Sequence, residues 1–131
     1  MTSSRNDPLP LELTGPSFLA LQVHDLEASR AFYVEKVGLK PLTQNPPGAI
    51  VFSTRPIPFA IRTPMVDLDA TSKLGWGVSL WMAATDADVV HDQLVKAGVT
   101  IVLAPANGPF GRFFAFRDLD GYTITVHTAK S

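Results

Sequence analysis

The stretch Asp25-Leu-Glu-Ala-Ser-Arg-Ala-Phe-Tyr-Val-Glu-Lys-Val-Gly38 has a counterpart about sixty residues on, at Asp86-Ala-Asp-Val-Val-His-Asp-Gln-Leu-Val-Lys-Ala-Gly98. Each begins on a residue suited to cap a helix and ends on a glycine suited to close one. Each is preceded by one strand candidate and followed by three. A repeat of strand–helix–strand–strand–strand leaves little freedom. One helix cannot cover its own sheet, so the two units must share a core or a cleft.

In the first unit, Phe18 to His24 alternates. Leu19, Leu21 and Val23 point to a core, and Phe18, Ala20, Gln22 and His24 point the other way. Asp25 caps a helix running from Leu26 to Val37. Three short strands are expected at Leu39–Gln44, Ala49–Thr54 and Pro58–Thr63, punctuated by Asn45-Pro-Pro-Gly48 and Arg55-Pro56. In the second unit, Trp76 to Met82 reads as a strand with Val78, Leu80 and Met82 inward and Gly77, Ser79 and Trp81 outward. Thr85 or Asp86 caps a helix ending at Ala97, with Val90, Leu94 and Ala97 buried. Val99–Leu103 is a strand, and Ala104–Pro109 reads as a loop. Phe113–Arg117 and Tyr122–His127 form a hairpin closed by Asp118-Leu-Asp120-Gly121. Tyr122, Ile124 and Val126 share one face of the last strand, and Thr123, Thr125 and His127 the other. Phe32, Tyr33, Phe59, Phe114 and Phe116 are expected in the core.

The expected organisation is therefore a loosely held tail at 1–15, a first module at 16–64, a linker at 65–75 and a second module at 76–128. Leu9, Leu11 and Leu13 alternate within the tail, but Pro8 and Pro10 oppose a strand there. Hydrophobic residues make up 46% of the 131, enough for a core. The 11 basic and 12 acidic residues balance to a net charge of −1, without a basic cluster that would draw nucleic acid. The chain has no Cys, so it has neither disulfides nor thiolate chemistry. No apolar run reaches the ~20 residues of a membrane span, and the start of the chain lacks a signal-peptide core. A cytoplasmic protein is expected.

The order of elements, with Leu21-Gln-Val-His-Asp25-Leu-Glu-Ala-Ser-Arg-Ala-Phe-Tyr33 and Gly38-Leu39, resembles the vicinal oxygen chelate superfamily. Glyoxalases, extradiol dioxygenases, fosfomycin-modifying enzymes and bleomycin-resistance proteins belong to it. Asp118-Leu-Asp120-Gly121 is similar to its Asp-Pro-Asp-Gly turn, with Leu119 in place of Pro. The resemblance covers roughly residues 17 to 128. It implies an α+β fold of two βαβββ modules, curled into half-barrels around a cleft and paired in a homodimer. It is far more specific for fold than for function.

Enzymes of that superfamily hold a divalent metal with His and Glu. The positions implied by the resemblance carry Phe18, Arg62 or Thr63, Gly77 or Ser79, and Thr125. None is a ligand of that kind, and Arg62 would repel a cation. No metal site, cofactor or catalytic residue is therefore assigned. No Ser-His-Asp arrangement can be inferred, and Gly108-Pro-Phe-Gly111 is too short for a phosphate loop. What remains is an apolar face toward the cleft, opposite the core, made of Phe18, Phe52, Trp76, Trp81, Phe110 and Phe113. Gln22, Arg62, Ser79, Thr125 and His127 are its polar points. Such a face suits a small, flat, aromatic ligand, so the expectation is a non-enzymatic protein that sequesters a hydrophobic natural product, as in drug resistance. The alternative is a metal-dependent glyoxalase- or dioxygenase-like enzyme with displaced ligands, such as His127 with Asp67 or Asp69.

Overall fold

A computed structural model describes residues 13–129; most of the tail expected at 1–15 lies outside the described residues. Strands β1 (Leu19–Gln22), β2 (Ala49–Phe52) and β3 (Phe59–Arg62) form one sheet in the order β1-β3-β2. Strands β4 (Leu80–Ala84), β5 (Thr100–Gly108), β6 (Gly111–Arg117) and β7 (Thr123–Thr128) form a second, ordered β4-β7-β6-β5. The repeat seen in the sequence is visible in the pairing. In each sheet the strand before the helix runs parallel to the last strand, β1 with β3 and β4 with β7.

Helix α1 (Leu26–Ala31) starts where Asp25 accepts a hydrogen bond from the Ala28 amide, and it continues as a π-helical turn from Phe32 to Val37. Gly38 ends it at a φ of 88°, a left-handed conformation that glycine adopts without steric cost. Helix α2 (Ala87–Lys96) is capped by Asp86, which accepts from the amides of Asp88 and Val89. A short 3₁₀ turn, Leu68–Ala70, lies in the connection between the sheets. Among the described residues no helix is long and apolar enough to cross a membrane.

Three sequence expectations are corrected. The strand expected at Leu39–Gln44 shrinks to a single bridge between Pro41 and Phe52. Ladder bonds flank it, from the Leu42 amide to Val51 and from the Ser53 amide to Lys40, but Pro41 has no N–H to extend it. The strand expected from Trp76 begins only at Leu80. Gly75, at a φ of 76°, and a bond from the Val78 amide to the Gly75 carbonyl close a turn there. Val78 is consequently exposed rather than inward. Finally, β5 runs through the expected loop to Gly108. Pro105 is accommodated because β5 is an outer strand with register shifts on either side of Leu103.

The core is one cluster shared by both sheets. Val23, Phe52, Phe59 and Ile61 come from the first half, and Leu94, Phe114, Phe116, Ile124 and Val126 from the second. Phe32 and Tyr33 sit between them. Phe32 approaches Phe116 at 6.4 Å, and Tyr33 approaches Phe59 at 5.2 Å. The aromatic residues assigned to the core from sequence are all buried.

The β6–β7 turn reaches across to the first half. Asp118, itself buried, accepts the Tyr33 hydroxyl at 2.6 Å and the amides of Asp120 and Tyr122 at 2.9 and 3.0 Å. Asp120 accepts from the His24 amide at 2.7 Å and from the Ser29 hydroxyl at 3.3 Å. The Tyr122 hydroxyl donates to the Gln22 carbonyl at 2.7 Å. Burial pushes the Asp118 carboxyl up, against the pull of its three donors, and burial beside that carboxyl raises the Tyr33 hydroxyl well above its usual range.

The His24 imidazole lies between two acids, with Nδ1 on Asp120 and Nε2 on Asp69 at 2.9 Å. Hydrogen bonding to Asp120, then to Asp69, raises its pKa above the ordinary 6.5. The folded chain thus holds this proton more tightly than the unfolded chain. The added stability is complete below pH 6.5 and is lost as the pH rises through the raised value. The thermal midpoint of the natural chain is expected to fall across that window. In His24→Gln it should fall less, which differential scanning calorimetry at stepped pH would show.

Candidate functional site

Period-two alternation decides which side chains are available for binding. Leu80 and Met82 of β4 turn to the core, so Trp81 and Ala83 turn away from it. Register then sets the neighbours. Trp81 lies beside Thr125, Ala83 beside His127, and Phe113 opposite His127. The Trp81 ring stacks on Phe113 at 5.9 Å and meets His127 at 5.5 Å. Ala83, a small residue beside these rings, borders a hollow.

Phe110 joins this group from the β5–β6 turn, edge-on to Trp81 at 6.0 Å. The turn depends on Gly111. Its φ is 104°, and a Cβ there would lie 2.7 Å from the Thr128 carbonyl oxygen. His127 Nδ1 lies 3.3 Å from the Phe110 carbonyl. A carbonyl only accepts, so Nδ1 carries the hydrogen and Nε2 of the neutral ring is left as an acceptor.

Beside Trp81, Ala83 and His127 opens a hollow of about 380 Å³. Its far wall comes from the first half of the chain: Leu19, Leu39 and Phe59, with the β2–β3 loop at Thr54, Arg55, Pro56 and Ile57. Both bordering strands, β1 and β4, are outer strands of their sheets. A second hollow of about 210 Å³ is bordered by Trp76, Ser79, Thr123 and Thr125. There the Lys73 ammonium sits 4.3 Å from the centre of the Trp76 ring.

The sequence-predicted site residues therefore divide. Trp81, Phe110, Phe113, Thr125 and His127 share one face of the second sheet, with Trp76 and Ser79 at the adjoining hollow. Gln22 and Arg62 pair in register on the first sheet. Gln22 accepts from the Met65 amide at 2.7 Å, and Arg62 donates to the Thr63 carbonyl at 3.2 Å. Phe18 is half-exposed at the entry to β1, and none of these three lines the hollow beside Trp81. Phe52 is corrected: it is fully buried, stacked on Phe59 at 5.8 Å, because alternation along β2 turns it to the core. Sequence reasoning missed Leu39, Arg55 and Ile57. The available signal was that a Pro-punctuated loop between two strands opens at a sheet end, where binding residues gather.

The donor set does not fit the metal that the resemblance implies. Among the described residues, no group of three or more His, Cys, Asp or Glu is placed to hold one. Asp69 pairs with His24 rather than His127, and Asp67 accepts from the Asp69 amide. His91 packs on Phe114 at 5.3 Å and meets Asp92.

Several solved structures are similar. TnmS3, an antibiotic binding protein from Streptomyces sp. CB03234, is 26% identical with a TM-score of 0.69, over 90% of this chain and 98% of that one. A glyoxalase/bleomycin resistance protein from the same organism is also 26% identical, with a TM-score of 0.67 over 87% of this chain and 100% of that one. The bleomycin-binding protein of Streptomyces verticillus, solved with copper(II)-bleomycin, shares the fold at 20% identity and a TM-score of 0.66, over 90% of this chain and 99% of that one. No curated protein matches the sequence. The family model for the Glyoxalase/Bleomycin resistance protein/Dioxygenase superfamily matches residues 15–126, which takes in both helices and every strand but the last two residues of β7. The chain belongs to that superfamily.

Proposed function

We propose that this chain is a binding protein that sequesters a flat aromatic molecule in the hollow beside Trp81, without transforming it. The observation that carries this reading is the partly exposed Trp81 ring, braced by Phe113, Phe110 and His127 at the edge of the 380 Å³ hollow. That volume lies within the ~300–1,000 Å³ usual for small-molecule sites. Its walls are mostly apolar, with a few directed polar groups, which is how such sites gain both affinity and orientation. Bracing holds the ring in place before a ligand arrives, so little side-chain entropy is lost on binding. The likeness to an antibiotic binding protein at 26% identity supports the same class of ligand.

Titration of tryptophan fluorescence with a panel of polycyclic antibiotics tests the reading. Trp76→Phe leaves Trp81 as the only indole, so the change in emission reports on this hollow. At least one compound is expected to bind in the micromolar range, about −8 kcal/mol. Failure of all of them to bind more tightly than millimolar would remove the proposal. A stoichiometric transition metal held through His127 would favour the enzyme alternative instead.

A further inference from the structure

We infer that the hollow beside Trp81 selects aromatic ligands bearing a negatively charged group, and that Arg55 is the counter-charge. This rests on the binding reading and adds a ligand class to it. Among the described residues lining the hollow, Arg55 is the one with a fixed charge, and none is an Asp or Glu. The chain as a whole carries one more acid than base, so a cation without carboxylates here is a local feature and not a background of positive charge.

Arg55 makes no ion pair or side-chain hydrogen bond within the described residues. Its loop is nevertheless held in shape, because the Thr54 hydroxyl donates to the Ile57 carbonyl at 2.7 Å. That bond spans Arg55 and Pro56 and sets both on the wall facing Trp81 and His127. A guanidinium offers a planar fork of donors that matches a carboxylate or sulfate. Apolar neighbours such as Leu19, Leu39 and Phe59 reduce the screening of such a pair. The ring of the ligand would lie against Trp81 and its anionic group would reach Arg55 across the gap.

The test compares anthraquinone carboxylate with the matching anthraquinone carboxamide, titrated calorimetrically into the full chain. The two differ in charge and hardly in shape. The natural chain is expected to prefer the carboxylate about tenfold, and added salt should shrink the preference. Arg55→Gln should reduce it to about twofold or less, and Arg55→Glu should reverse it. Arg55 is exposed, so both variants should keep the thermal midpoint of the natural chain. Equal affinity for the two compounds, or a preference that survives Arg55→Gln, would overturn the inference while leaving a neutral-ligand binding site intact. Binding of neither compound would overturn it as well, and the antibiotic titration then decides the binding reading separately.

Discussion

Replacing Asp118 with alanine is expected to lower the unfolding free energy by about 3 kcal/mol and the thermal midpoint by about 10 °C. The carboxylate accepts the Tyr33 hydroxyl and two backbone amides, in a place where its own side chain is nearly out of solvent. Alanine takes away all three acceptor contacts and leaves the fully buried Tyr33 hydroxyl with a lost partner. An orphaned buried donor costs about 1–3 kcal/mol, and the freed turn amides add to that. Asp118→Asn keeps one carbonyl oxygen and removes a buried charge that burial already disfavours, so it should cost clearly less. Chemical denaturation of the two variants checks the order. An Asp118→Ala chain as stable as the natural one would mean that solvent replaces the lost acceptor.

Trp81→Ala is expected to weaken binding of whichever aromatic compound the titration identifies by about thirtyfold or more, equivalent to about 2 kcal/mol. The indole is the broadest flat surface at the hollow, and its bracing by Phe113 and His127 is lost with it. Trp76→Ala should change affinity by less than about threefold, because Trp76 borders the second hollow under the Lys73 ammonium. Trp81 is partly solvent-exposed and lies outside the core, so the thermal midpoint should move little. Calorimetric titration alongside a melting curve separates the two effects. A greater loss from Trp76 than from Trp81 would place the ligand in the other hollow.

The elements that sequence reading located well are those where side-chain periodicity and backbone preference agree. Tyr122, Ile124 and Val126 alternate with Thr123, Thr125 and His127, and the structure buries the first set as that pattern requires. Asp25 caps its helix as expected, and of the two candidates Thr85 and Asp86 it is Asp86 that caps the second. Legibility failed where backbone chemistry overrode pattern. Trp76-Gly-Val-Ser79 alternates like a strand, yet the positive φ of Gly75 bends it into turns. Ala104 to Gly108 looks like a loop because of Pro105, yet an outer strand with irregular register tolerates that residue. At the site, the face of Trp81 and Thr125 follows from alternation within one sheet. The opposing wall at Arg55 and Ile57 depends on how two sheets meet, and no local pattern encodes that. Phe52 is misplaced because a strand of four residues alternates without showing which side is inward, and it is the packing of Tyr33 and Phe59 that marks that side.

The reach of the β6–β7 turn across the molecule has a thermodynamic consequence. Its acids satisfy donors on β1's exit and on the first helix, and its tyrosine holds the carbonyl of Gln22. Neither half can therefore loosen without stripping hydrogen-bond partners from the other. Although the chain is built by repetition, it is expected to melt as a single cooperative unit, with neither repeat holding a stability of its own to fall back on.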